Sequence, residues 1–175
     1  VSWTANKNHY QDVARTFWPA ARLTTRLSWL TGGRPFALGP LQIYAAEHHN
    51  LPFNTLAHEA GHNWTYELLG WTVPILGWFF GKTVRAWCGV PLFLLLYYAM
   101  PPWVGLAVFR CWFELVADRW RWRQMLHAGR TAGEVRNRAD RFGRAVNHSC
   151  AYVFALPGIG PWWYRRAAES EIARR

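Results

Sequence analysis

Two periodicities run along this chain. From residue 9 to residue 30, Val13, Phe17, Leu23, Leu27 and Leu30 recur three to six positions apart, with Arg15, Arg22 and Arg26 between them. That spacing predicts an amphipathic helix, kinked or split at Pro19 because proline removes a backbone donor and clashes with the preceding turn. Thr31-Gly32-Gly33-Arg34-Pro35 reads as a turn. The period then drops to two: Leu41-Gln42-Ile43-Tyr44, within 36–46, alternates as a half-buried strand does. Such a strand is either an exposed edge, on which Gln42, Ile43 and Tyr44 would hold an extended peptide by strand addition, or an interior hairpin strand. Glu47-His48-His49-Asn50 follows as a polar loop, and both histidines read as loop residues. Pro52 and Asn54 mark the entry to a helix over 55–69, with Gly70 as its stop.

The second half opens on an apolar run. Residues 89–109 are 21 consecutive uncharged positions, long enough for a membrane span. Pro91 and Pro101-Pro102 argue against one straight helix. The run is read as a proline-broken core segment, an interfacial or re-entrant membrane hairpin, or, last, a full span. A long helix is predicted over 104–128, closed by Gly129. Thr131 and Glu134 have capping-box spacing and open a basic helix over 132–150. Residues 156–163 read as a turn with apolar anchors, and the tail from Arg165 as a short charged helix that frays. Together these elements predict a mostly helical α+β fold with a small antiparallel sheet. One domain over 1–175 is expected, with an apolar insert at about 71–109 and a basic helical part over 131–175.

Composition adds charge. Lys and Arg number 20 against 10 Asp and Glu, a formal net charge of +10. Anionic partners follow from that sign: a phospholipid surface, an acidic protein or nucleic acid. Nucleic acid rests on charge alone and is not expected. Thirteen tryptophans suit cores, interfaces and membrane boundaries alike. Cys88, Cys111 and Cys150 show no C-x-x-C spacing and read as buried thiols, with one disulfide left open. The chain opens Val-Ser-Trp-Thr, with no basic or apolar leader region. No signal peptide is expected; a processed product or a segment of a longer chain is.

The chemistry concentrates at His58-Glu59-Ala60-Gly61-His62, an H-E-x-x-H sequence. On a helix the two histidines project from one face, one turn apart. They could bind one Zn²⁺, with Glu59 placed to take a proton from a water on that metal. A catalytic zinc site needs a third protein ligand. The candidates are His9, Glu47, His48, His49, Glu67, Glu114, Asp118, His127 and His148. Glu67 lies too far along the same rigid helix to fold back. Glu114 lies on a separate helix in apolar surroundings, where a metal would compensate its charge. Asp118 is one turn later, placed to accept the other N–H of a ligating histidine. An exposed pair bonded to Arg110 or Arg121 is the alternative for these two carboxylates. An oxyanion donor is also needed; His127, His148 and Tyr152 are available, with His148 and Tyr152 ranked equally.

H-E-x-x-H followed by E-x-x-A-D-R at Glu114–Arg119 resembles the gluzincin zinc metallopeptidases. The resemblance implies His58, His62 and Glu114 as metal ligands, Glu59 as general base, and Asp118 as the residue orienting a ligand histidine. It also implies a minimal zincin core. The pattern R-P-F-x-L-G, H-E-x-G-H and L-G-x-x-x-P between Arg34 and Trp78 is similar to metallopeptidase-like domains at the C-termini of bacterial polymorphic-toxin and Rhs-type proteins. That similarity implies a toxin or effector delivered as part of a larger secreted protein. Its partners would be a protein or peptide substrate, a parent polypeptide and an immunity-type inhibitor. The apolar run between the motifs is also similar to that of CAAX-processing membrane peptidases, which implies membrane contact through 89–109. The competing reading is a membrane-associated or anion-binding module in which metal is structural or absent. Glu59 separates the two, since a structural site has no use for a carboxylate beside its first ligand.

Overall fold

Pro19 stops the first helix. In the computed structural model, which describes residues 3–47, 50–73, 75–98, 108–148 and 159–175, α1 runs Trp3–Phe17. The helix expected to continue to residue 30 does not. Beyond the proline, Arg22–Thr24 forms strand β1 and Ser28–Thr31 a 3₁₀ turn. The local helical spacing is overridden by long-range pairing: Leu23 is buried opposite Gln42 in the sheet. Gly32 and Gly33 then reverse the chain at positive φ, which glycine adopts without steric cost.

Strands β2 (Phe36–Leu38) and β3 (Leu41–Ile43) complete a three-stranded sheet in the order β1-β3-β2. β3 is therefore the middle strand, parallel to β1 and antiparallel to β2. One expectation is corrected here, and of the two readings of the strand the interior one holds. The sheet is mixed, not antiparallel. Gln42 and Ile43 lie on an interior strand with a neighbour on both sides, and with Tyr44 they are fully buried. They have no free edge on which to hold a substrate.

Helix α2, Phe53–Gly70, begins after Pro52 as expected. Gly70 lies within its last turn, and right-handed Trp71 is the cap. The glycine serves packing instead: a Cβ there would run into the carbonyl of Arg85. A one-turn α3 (Leu76–Phe79) leads to α4 (Lys82–Tyr98), which runs through Pro91. Residues 89–98 are part of that helix. Phe93 is buried while Leu95 is exposed, so this part is half-buried, not a fully buried core segment. Among the described residues no helix is long and apolar enough to cross a membrane. Pro101-Pro102 lies outside the described residues.

Contacts divide the chain into two compact units, Val1–Phe93 and Leu94–Arg175, so the division falls within α4. The expected apolar insert spans that division. The first unit buries Trp18, Ile43, Tyr44, Leu56 and Tyr66. The second holds α5 (Val108–His127), α6 (Ala132–His148) and α7 (Ile159–Ala173) around Leu115, Trp122, Val135, Ala139 and Tyr164. Helix α5 ends in a Schellman arrangement about Gly129 (φ +83): Gly129 N–H donates to Leu126 and Arg130 N–H to Met125. The capping box follows, Thr131 N–H donating to Glu134 and Glu134 N–H to the Thr131 hydroxyl. The tail is not a frayed end. Residues 159–163, expected in a turn, are the first turn of α7, and Tyr164 and Ala168 pack into the core.

Candidate metal centre

Helix α2 fixes the histidines. Ala57, Ala60 and Gly61 are buried beside them, so the face carrying the motif is turned inward. The His58 and His62 rings lie 4.9 Å apart between centroids, at 89° to one another. Phe93 stands 6.1 Å from the His62 ring. Glu59 is buried at 5 % exposure and sits close enough to Tyr44 to matter electrostatically. Burial, and then the Glu59 charge, push the Tyr44 phenol well above its ordinary value. Tyr44 is therefore neutral, and its hydroxyl donates to Gln42 Oε1 at 3.2 Å. Gln42 Nε2 donates to Asn63 Oδ1 at 2.5 Å, and Asn63 Nδ2 to the Gly39 carbonyl at 2.5 Å. This buried chain locks the residue after His62 to the middle strand.

Glu67, set aside as a ligand from its position along α2, is otherwise engaged. It accepts from Trp18 Nε1 at 2.9 Å and from Arg85 at 3.2 Å. In the second unit, half-buried Glu114 accepts from the Tyr97 hydroxyl at 2.9 Å. Arg110 stacks over the same Tyr97 ring at 4.4 Å. Asp118, buried on the same helix, pairs with buried Arg121 at 2.5 Å. The Arg121 link was open as an alternative for this carboxylate, though as an exposed contact; here both partners are buried.

Among the described residues one group of histidine, cysteine and carboxylate side chains could hold a metal ion: His58, His62 and Glu114. One ligand atom from each lies within 4.8 Å of the others. Two imidazoles and a carboxylate, with no thiolate, are a donor set that zinc accepts in three-ligand sites. His48, His49 and Tyr152 lie outside the described residues, as does the side chain of His148. His127 lines a cleft of about 290 Å³ in the second unit with Arg123 and Glu171. The residues not anticipated from sequence are Tyr97, which bonds the candidate ligand, and Asn63, which anchors the helix. Asn63 stood next to His62 in plain view, but its partners are 21 and 24 residues away and no local pattern points to them. Comparison with protein-family models, curated proteins and solved structures finds no match to the chain.

Proposed function

We propose that the chain is a zinc-dependent metallopeptidase that hydrolyses peptide bonds with Glu59 as general base. The observation that carries this reading is the approach of His58, His62 and Glu114 ligand atoms to within 4.8 Å of one another. Two of these residues flank the buried carboxylate of Glu59, for which hydrolysis has a use and a structural metal does not. His58, His62 and Glu114 would hold the ion, which when bound supplies a Lewis acid and lowers the pKa of a coordinated water. The remaining chemistry belongs to the chain. Glu59 would take the proton of the attacking water and pass it to the leaving amine. Its burial and the nearby neutral Tyr44 keep the carboxylate in a low-dielectric setting, where proton transfer is sensitive to placement. Tyr97 would steady Glu114 through its hydroxyl, and Asp118 is proposed to hold a ligand histidine in one tautomer. The effector setting, a larger parent protein and an inhibitor partner rest on the sequence resemblance.

The test is Glu59→Gln on a mixed peptide library. Zinc content and thermal stability should stay close to those of the parent chain, and cleavage should fall about 10²–10⁴-fold. Equal cleavage by parent and Glu59→Gln would end the proposal.

A further inference from the structure

The end of α2, α3 and the start of α4 display large apolar side chains to water. Trp71, Ile75, Trp78, Phe79 and Phe80 are 47, 69, 62, 80 and 47 % exposed, and Val84 and Trp87 add to them. Scattered exposed apolar residues are ordinary, but so many in one short stretch mark an interaction surface.

This display is built into the packing. Three glycines leave no room for side chains where these elements meet. A Cβ at Gly70 would strike the Arg85 carbonyl, one at Gly77 the Gly70 carbonyl, and one at Gly89 the Tyr66 carbonyl. With α3 held backbone to backbone on α2, its aromatic residues have nowhere to turn but outward. The Trp78 indole N–H donates to the Trp71 carbonyl at 3.0 Å, so its polar edge is satisfied and its apolar body is left over. Arg85 stacks on Trp71 at 4.3 Å and donates to the Phe80 carbonyl at 2.8 Å, which fixes both ends of the stretch.

Charge selects the occupant. Residues 68–87 contain no carboxylate and carry Lys82 and Arg85. In the first unit Glu59 is buried and Glu67 is buried and paired with Arg85, which leaves Asp12 and Glu47 as surface acids against six other Lys and Arg. Tryptophan and phenylalanine beside a cation, with no acid among them, match the headgroup region of an anionic bilayer. We propose that this face lies on an anionic lipid surface, with Trp78 and Phe79 inserted at the headgroup level and Lys82 contributing charge. The proposal is independent of the peptidase reading. It places a membrane contact at the α2–α4 junction, ahead of residues 89–109 in the chain.

The test is co-sedimentation of the full chain with vesicles of phosphatidylglycerol and phosphatidylcholine in equal parts, and with phosphatidylcholine alone. The parent chain should pellet with the mixed vesicles and much less with the neutral ones. Trp78→Ser with Phe79→Ser should weaken the binding at least about tenfold, since each side chain loses the burial it gains in lipid. Lys82→Gln should weaken it on mixed vesicles only. Both variants should stay folded and melt close to the parent, because Trp78 and Phe79 are 62 and 80 % exposed and Lys82 is half-buried at the surface. Equal pelleting of parent and double variant would overturn the proposal, as would a parent that stays in solution. Self-association abolished by the same pair, without vesicle binding, would assign the face to a protein partner and also overturn it.

Discussion

Gln42 shows how a residue can be recognised in the sequence and still be misplaced in function. Its alternation with Leu41 and Ile43 marks a strand, and β3 is where that pattern puts it. Nothing local says whether the strand is an edge. As the middle strand, it turns Gln42 into a buried link between Tyr44 and Asn63. Gln42→Leu should strand the Asn63 carbonyl oxygen and the Tyr44 hydroxyl, costing about 1–3 kcal/mol. Denaturant titration reads that loss; an unchanged midpoint would mean the chain is not structural. Glu67 was more legible, because helix geometry alone removes it from the metal, and it instead bonds Trp18 and Arg85. Cys111 makes a second prediction. Burial, then the Glu114 charge, push its thiol up to about 12, opposed by Arg110. It should resist thiol reagents near pH 8 in the native protein and react once denaturant exposes it.

The helices divide by how local their causes are. The Gly129 stop and the Thr131–Glu134 capping box are short-range signals, and both stand where the spacing puts them. The segment after Pro19 is the opposite case, since β1 exists through its pairing with β3. Helix α7 was concealed by Gly160-Pro161, which read as a turn; Pro161 sits in the first turn of the helix, where a missing N–H costs nothing. Glycines carry the other hidden information. Gly89→Ala would normally favour a helix by about 1 kcal/mol. Here the new Cβ meets the Tyr66 carbonyl, and overpacking should reverse the sign, with a net loss of about 1–3 kcal/mol. Gly133→Ala is the matched control. Its Cβ would meet only the Thr131 hydroxyl at 3.8 Å, so it should be neutral or mildly stabilising. Thermal melts of the two variants test the pair.

Across the molecule, the basic surplus is partly structural. Glu171 is 3 % exposed and accepts from Arg119 at 2.7 Å and Arg123 at 3.0 Å, which ties α7 to α5. Burial raises its carboxyl, but hydrogen bonds from Arg119 and Arg123 outweigh that and hold it below the ordinary value. A depressed folded value stabilises above the unfolded carboxyl range and is lost as pH falls through it. Stability should therefore decline below about pH 4–5, and Glu171→Gln should lower it by about 1–3 kcal/mol near pH 7 with a flatter acid dependence. Composition could register the arginine excess but not this use of it, because the partners lie 48 and 52 residues apart.

The candidate metal centre has the same character. His58 and His62 follow from spacing alone, whereas Glu114 was reached through its apolar helix and the E-x-x-A-D-R resemblance, and its approach to the histidines depends on the fold. X-ray absorption at the zinc edge, on the full chain loaded with one equivalent of zinc, tests that assignment most directly. The expected spectrum has two imidazoles and an oxygen-donor shell at about 2.0–2.2 Å with no sulfur. It should lose one imidazole in His58→Ala and alter its oxygen shell in Glu114→Gln. A sulfur shell near about 2.3 Å, or the spectrum of free hydrated zinc, would contradict it.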